Sequence, residues 1–230
     1  MAAGGSGGET VKWDWDYAAE IFPMLLGALW TAIQAAVLGY LLALVLGLVI
    51  ALLRRSRVLW ISVPVGLVVE FVRSTPLIVQ LFFLFFVLPE VGIQMSPLLT
   101  GVVGLGLHYA TYVAEVYRAG IDGVPAGQWE AATALNLPTR RVWTDVILPQ
   151  AIPRSIPALG NYLIALFKDV PQLVAITVLE PFTVAREVTA DTFRPFEAIT
   201  LAGLLYLAVT LVMSYLGRLA ERRFGEVRAV

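Results

Sequence analysis

His108, Tyr112 and Glu115 fall at i, i+4 and i+7 in the run GLHYATYVAEVYRAG, so on a helix they share one face, with Tyr109 beside them. An imidazole, two phenols and a carboxylate can hydrogen-bond, hold a cation against a ring or pair with a charge, and a lipid-facing helix would not carry them. Such a face either lines a path for a polar solute or closes on itself as an interhelical hydrogen-bond cluster. Asn161, Tyr162, Lys168 and Asp169 form a second polar group in an apolar run, and Glu70 and Arg73 a third. The spacing of Glu70 and Arg73 suits an i, i+3 ion pair that seals a helix face, or a place on the same path. With one histidine and no cysteine, thiolate metal sites, cysteine nucleophiles and an HExxH zinc site are excluded. Neither Lys12 nor Lys168 follows a GxxxxG loop, so no P-loop is present and any ATP hydrolysis belongs to another chain.

These groups need helices in a membrane to position them. The 230-residue chain is 59% hydrophobic and 14% charged, against about 25% charged in a soluble domain, which makes it a polytopic, all-α membrane protein. A net charge of -1 excludes a strongly basic nucleic-acid binder. We divide the chain into a flexible or interfacial segment, 1–16, and a transmembrane domain, 17–230. The leader MAAGGSGGET reads as a flexible tail, and WDWDYAAEIF as an interfacial anchor built on Trp13, Trp15 and Tyr17.

About five spans follow. Span one runs from Pro23 to Leu53, roughly 45 Å of helix, and ends at Arg54, Arg55 and Arg57. Span two, about 58–88, is interrupted at Ser74, Thr75 and Pro76. Span three covers about 98–121, and span four about 151–167, a short and irregular segment starting at Pro153 and Pro157. The mixed stretch 171–195 is expected outside, ahead of span five at about 196–217. With the N-terminus outside and the C-terminus inside, about eleven basic residues lie inside, Arg228 among them, against about four outside.

Between spans three and four lies a polar island, about 123–150, inside by this topology. QWEAATALN reads as a short helix closed by Asn136, which tolerates the left-handed conformation, and Pro138 opens a second helix, PTRRVWTDVIL, with Val142, Trp143 and Val146 on one side. By the residues alone this is a cytoplasmic hairpin, either resting on headgroups through Trp129 and Trp143 or offered to a partner protein.

The string EAATALNLPTRRVWTDVILP resembles the EAA loop of permease subunits of ABC importers: EAA, three residues, Gly, nine residues, then IxLP. Glu130, Ala131, Ala132, Leu148 and Pro149 match in register, with Asn136 at the Gly position and Val146 at the Ile position. EFVRSTPLIVQLFFLFFVLP, YVAEVYRAGIDGVPAGQWEAA and LGNYLIALFKDV resemble blocks of polar amino-acid uptake permeases, and the resemblance extends over about 20–225. Within that subfamily, His108 with Tyr109 and the prolines at 153 and 157 look most like an ectoine/hydroxyectoine permease, although Val170 and Pro171 replace the Thr-Ser that commonly follows Lys-Asp.

The resemblance implies a MetI-like permease fold of type I ABC importers, with the island as the coupling helix that sits in a cleft of the ATPase. Glu130, Ala131, Ala132, Asn136, Arg140, Arg141, Leu148 and Pro149 then serve ATPase coupling. His108, Tyr109, Tyr112, Glu115, Asn161 and Tyr162 become the substrate path, with Lys168 and Asp169 an outer gate. The implied partners are an ABC ATPase dimer using ATP and Mg, a second permease with a heterodimer favoured, an extracytoplasmic solute-binding protein and the bilayer of a bacterial inner membrane. The chain itself is expected to bind no cofactor or metal and to be no enzyme. Its solute is expected to be ectoine or hydroxyectoine, with a polar amino acid next. An ion-coupled secondary transporter is the alternative, but no internal repeat is visible and the island has no purpose in it.

Overall fold

The computed structural model describes residues 12–224, and in these the only regular structure is helical. The leader and Arg228 lie outside the described residues. Helix α1, Trp15–Arg54, starts at Asp14, whose carboxylate accepts from the backbone N–H groups of Asp16 and Tyr17 at 3.1 Å each. Its long apolar stretch is interrupted on one stripe by small residues, and that stripe packs along α4, Pro97–Asp122. A Cβ on Gly47 would lie 2.6 Å from Val113, and one on Gly106 would lie 2.6 Å from Leu42. Hydrophobic burial supplies no drive between helices in lipid, so such backbone approach is what holds the pair together.

Helix α2, Leu59–Ser74, stops where Thr75 and Pro76 turn extended, because Pro76 has no N–H to give and disfavours helical geometry at Thr75. The chain resumes as α3, Leu77–Phe82, then a π turn over Phe83–Val87 and a 3-10 turn over Leu88–Val91. The two halves bend by 104°. The expected interruption is therefore present, but as a sharp corner and not as a defect in one straight rod.

After α4 come α5, Ala126–Ala134, and α6, Thr139–Arg141, which runs through a π turn at Val142–Ile147 into α7, Leu148–Asp169. Both π turns end one residue before a Leu-Pro pair, Leu88-Pro89 and Leu148-Pro149. Proline cannot donate to the turn below it, and widening to i→i+5 bonding absorbs the missing link. Span four is thus not the short segment expected: α7 has 22 residues and continues through Pro153 and Pro157.

A 3-10 turn, Val170–Ile176, leads to α8, Pro181–Thr192, and then α9, Pro195–Phe224. Helix α8 buries Val184, Ala185 and Val188, so part of the mixed stretch 171–195 packs into the core. The core centres on Leu25, Leu81, Leu105, Leu166, Phe167, Leu173 and Ile176, with α4 in the middle. By length and composition Trp15–Arg54 and Pro195–Ala220 cross a membrane, and the two bent pairs 59–91 and 139–192 bring the spans to as many as four. Helix α4 is the fifth long one, about 39 Å from end to end, and its neighbours shield its polar residues from lipid.

The N-terminal segment also makes contacts within the fold. Trp13 packs edge-on against Trp15 and Phe196, each at 5.5 Å, and the Tyr17 hydroxyl lies 2.9 Å from Thr192 Oγ1. Arg194 bonds Asp14 and Glu197 at 3.1 Å and lies 4.0 Å over the Tyr17 ring. This is a seam that ties the start of α1 to the α8–α9 junction, in addition to any contact with the interface. The Tyr17 backbone N–H, and next the Arg194 guanidinium, hold the Asp14 carboxyl below its ordinary value.

Candidate functional site: a polar aromatic cage and the coupling corner below it

The polar face of α4 gathers side chains from four elements. Tyr112 lies 5.4 Å from His108 and 5.4 Å from Tyr162 of α7, ring centre to ring centre. Tyr109 stands 6.0 Å from Tyr112 and 6.5 Å from Tyr162, and its hydroxyl donates to Asp169 Oδ2 at 2.7 Å. Gln172 donates to the other oxygen of Asp169 at 3.0 Å. Arg73, at the end of α2, covers Tyr112 with its guanidinium carbon 5.0 Å from the ring centre.

Gln80 ties this cage to the corner in the chain. Its amide nitrogen reaches the Val72 and Thr75 carbonyls, at 2.7 and 3.1 Å, and the Thr75 hydroxyl, at 2.7 Å. These contacts satisfy carbonyls freed at the proline break and fix which way the amide points. Its Oε1 then faces His108 Nδ1 at 3.2 Å, which places the imidazole proton on Nδ1. No sequence pattern singles out Gln80 or Gln172; their partners are set by the corner and by the 3-10 turn after α7.

Several expected site residues are elsewhere. Glu115 is not in the cage: it pairs with Arg54 at the end of α1 and with Arg118 at 2.9 Å, in a network that continues through Asp122 to Arg55. Asn161 is exposed and outside the ring cluster. Of the two residues expected as an outer gate, Lys168 borders a shallow groove with Pro171, Phe182 and Tyr206, while Asp169 bonds Tyr109 and Gln172. The Glu70–Arg73 ion pair does not form either: Glu70 is exposed, and Arg73 turns toward Tyr112. An open depression of about 360 Å³, bordered by Tyr162, Ala158, Gly120, Arg154 and Glu115, leads from the cage toward the ion-pair network.

Below this lies the helix–corner–helix unit. Asn136 adopts φ 49°, and the carbonyls it frees are closed by Leu137 N–H to Ala132 and Asn136 N–H to Thr133, at 3.1 and 3.0 Å. The arms are joined by Trp129 against Trp143, edge to face at 5.5 Å, so these rings hold each other. Ala132 is buried within the unit, whereas Glu130, Ala131, Arg140, Arg141, Leu148 and Pro149 are exposed. An apolar cluster of Ile121 and Val124 below α4, with Ile147 and Ala151 at the start of α7, seats the unit on the two helices that carry the cage. Gly120 brings those helices close: a Cβ there would stand 2.2 Å from Ser155 Oγ and 3.0 Å from the Ala151 carbonyl.

The chain belongs to the family described as binding-protein-dependent transport system inner membrane component, whose model matches residues 43–226. Its fold is the MetI-like permease fold of ABC importers. The chain is 49% identical over 205 residues, 89% of each chain, to a probable amino-acid ABC transporter permease of Sinorhizobium fredii strain NBRC 101917 / NGR234. It is 33% identical over 214 residues to an arginine transport system permease protein of Bacillus subtilis strain 168, covering 90% of this chain and 96% of the relative. A crystal structure of an amino acid ABC transporter with histidines superposes with a TM-score of 0.87 at 31% identity, covering 93% of this chain and all of the other. Membership makes the chain a non-catalytic membrane subunit, and implies an ATPase and a substrate-binding protein as partners.

Proposed function

We propose that the chain forms half of the membrane pathway of an importer for a polar amino acid and transmits ATPase closure through Glu130 to Pro149. The observation that carries this is the shared seat of the corner unit on α4 and α7, the helices that hold Tyr109, Tyr112 and Tyr162. Motion imposed on the corner displaces both walls of the cage at once, which alternation between two packings requires. The relatives named for amino-acid and arginine transport support the solute class. Ectoine is the second reading, favoured by ring faces that suit a delocalised cation.

In this reading a solute-binding protein docks outside and an ATPase dimer, with ATP and Mg, engages the exposed face of the corner inside. A second permease of the same fold, as a heterodimer, completes the path, with the N-terminus outside and the C-terminus inside. The test is uptake by the assembled importer in proteoliposomes, offered labelled L-arginine, L-histidine, L-glutamine and ectoine in turn. Glu130→Ala should abolish binding-protein-stimulated ATP hydrolysis while the binding protein still docks. ATP-independent uptake by this chain alone would instead establish an ion-coupled carrier, and saturation with ectoine only would replace the amino acid.

A further inference from the structure

We propose that Arg73 receives the α-carboxylate of the amino acid in transit, which makes it the anion-recognising residue of the cage. The inference deepens the amino-acid import reading and rests on it. Arg73 stands in the last turn of α2, two residues before the corner at Thr75, with its guanidinium over the Tyr112 ring. The ring occupies one face of that plane. The donor edge of the guanidinium makes no ion pair among the described residues, whose salt bridges join Arg54, Arg55, Arg118 and Arg194 to other carboxylates.

The Arg73 side chain is exposed, with the Tyr112 ring against one face, so its donor edge is open to an anion from outside the chain. The cage does not provide one of its own. Both oxygens of Asp169 are taken, by Tyr109 and Gln172, and Glu115 is committed to Arg54 and Arg118. A planar fork of donors matches a carboxylate bidentately, and every free α-amino acid carries one whatever its side chain. The phenol rings of Tyr109 and Tyr162 stand beside Tyr112, and a ring face favours an ammonium group.

The position of Arg73 is set from two sides. Its own contact with Tyr112 and the Gln80–His108 bond both join the corner region to α4, so a change in the 104° bend would carry the guanidinium toward or away from the rings. The site is thereby linked to the state of the pathway.

The experiment uses the assembled importer and reads amino acid imported per ATP hydrolysed. Arg73→Met keeps a long side chain for Tyr112 and removes the charge; it should lower the ratio about tenfold or more. Arg73→Lys should recover part of it, and Glu70→Gln should leave it unchanged. A normal ratio in the Met variant overturns the proposal. So does a Glu70→Gln variant that fails in parallel and is rescued by exchanging the two charges, which would make Arg73 an ion-pair partner across the permease interface. Independently of any variant, the wild-type assembly without binding protein should bind its amino acid about tenfold or more tighter than the α-amide. Equal affinity, or no saturable site for the acid, also overturns the proposal. A wild-type importer that takes up no amino acid fails the underlying reading and is recognised before Arg73 is tested.

Discussion

Arg54 donates to Glu115 across 61 positions of sequence, and this bond joins the C-terminal end of α1 to the flank of α4. Arg118 donates to the same carboxylate through two nitrogens and also reaches Asp122, which Arg55 engages from α1. The two longest-packed helices of the fold are therefore riveted at one end by charge and along their length by small residues.

Glu115→Gln is expected to lower the melting temperature in detergent without altering which solute is carried. The side chains of the pair are 27% and 26% exposed, so screening limits the loss to about 1 kcal/mol. That corresponds to roughly 2–4 °C for a chain of this size. A changed solute preference with an unchanged melting temperature would return Glu115 to the path.

Gly120→Ala should be more damaging than its size suggests. The added methyl meets Ser155 Oγ and the Ala151 carbonyl at a close approach of α4 to α7, an overpacking cost of about 1–3 kcal/mol. Adding Ser155→Ala should restore part of the thermal stability, because the carbonyl contact at 3.0 Å persists. Full stability of the single variant would show that the helices separate easily there.

At the corner, Asn136→Gly should preserve or slightly raise stability and keep ATPase stimulation, since glycine takes φ 49° without strain. Asn136→Val should cost about 1–2 kcal/mol and reduce stimulation, because a β-branched residue resists that conformation. Stimulated ATP hydrolysis of the two variants, compared side by side, checks this.

Asp14 gives a pH signature. Its carboxyl sits below the ordinary value of 3.8, so its contribution to stability is fully present above that pH and is lost as pH falls through the lower folded value. Melting temperature should drop more steeply below about pH 3.8 in the wild type than in Asp14→Asn. Parallel curves would remove Asp14 from the α1–α9 seam.

What the sequence makes legible is local. The Asn-Leu-Pro run specifies the left-handed corner at Asn136, Ser96 and Pro97 open α4 close to the expected bound, and helical spacing puts His108, Tyr109 and Tyr112 together. Partners distant in sequence are not legible. Spacing groups Glu115 with His108, yet the choice between a solute and Arg54 was made by the packing of α1 on α4. The i, i+3 rule pairs Glu70 with Arg73, but Tyr112 is 39 positions away and takes the guanidinium. Pro153 and Pro157 look like a helix start because proline tolerates first turns; the widened turn at Val142–Ile147 had already begun the helix upstream.

That continuity has a mechanical reading. From Thr139 to Asp169 the chain is helical without a break over about 46 Å, with the corner at one end and the Tyr109–Asp169 bond at the other. A tilt of about 10° at the corner sweeps the far tip through roughly 8 Å, far more than a hydrogen bond spans. A small rotation at the corner, carried along an unbroken helix, becomes a displacement that breaks or makes the Tyr109–Asp169 contact.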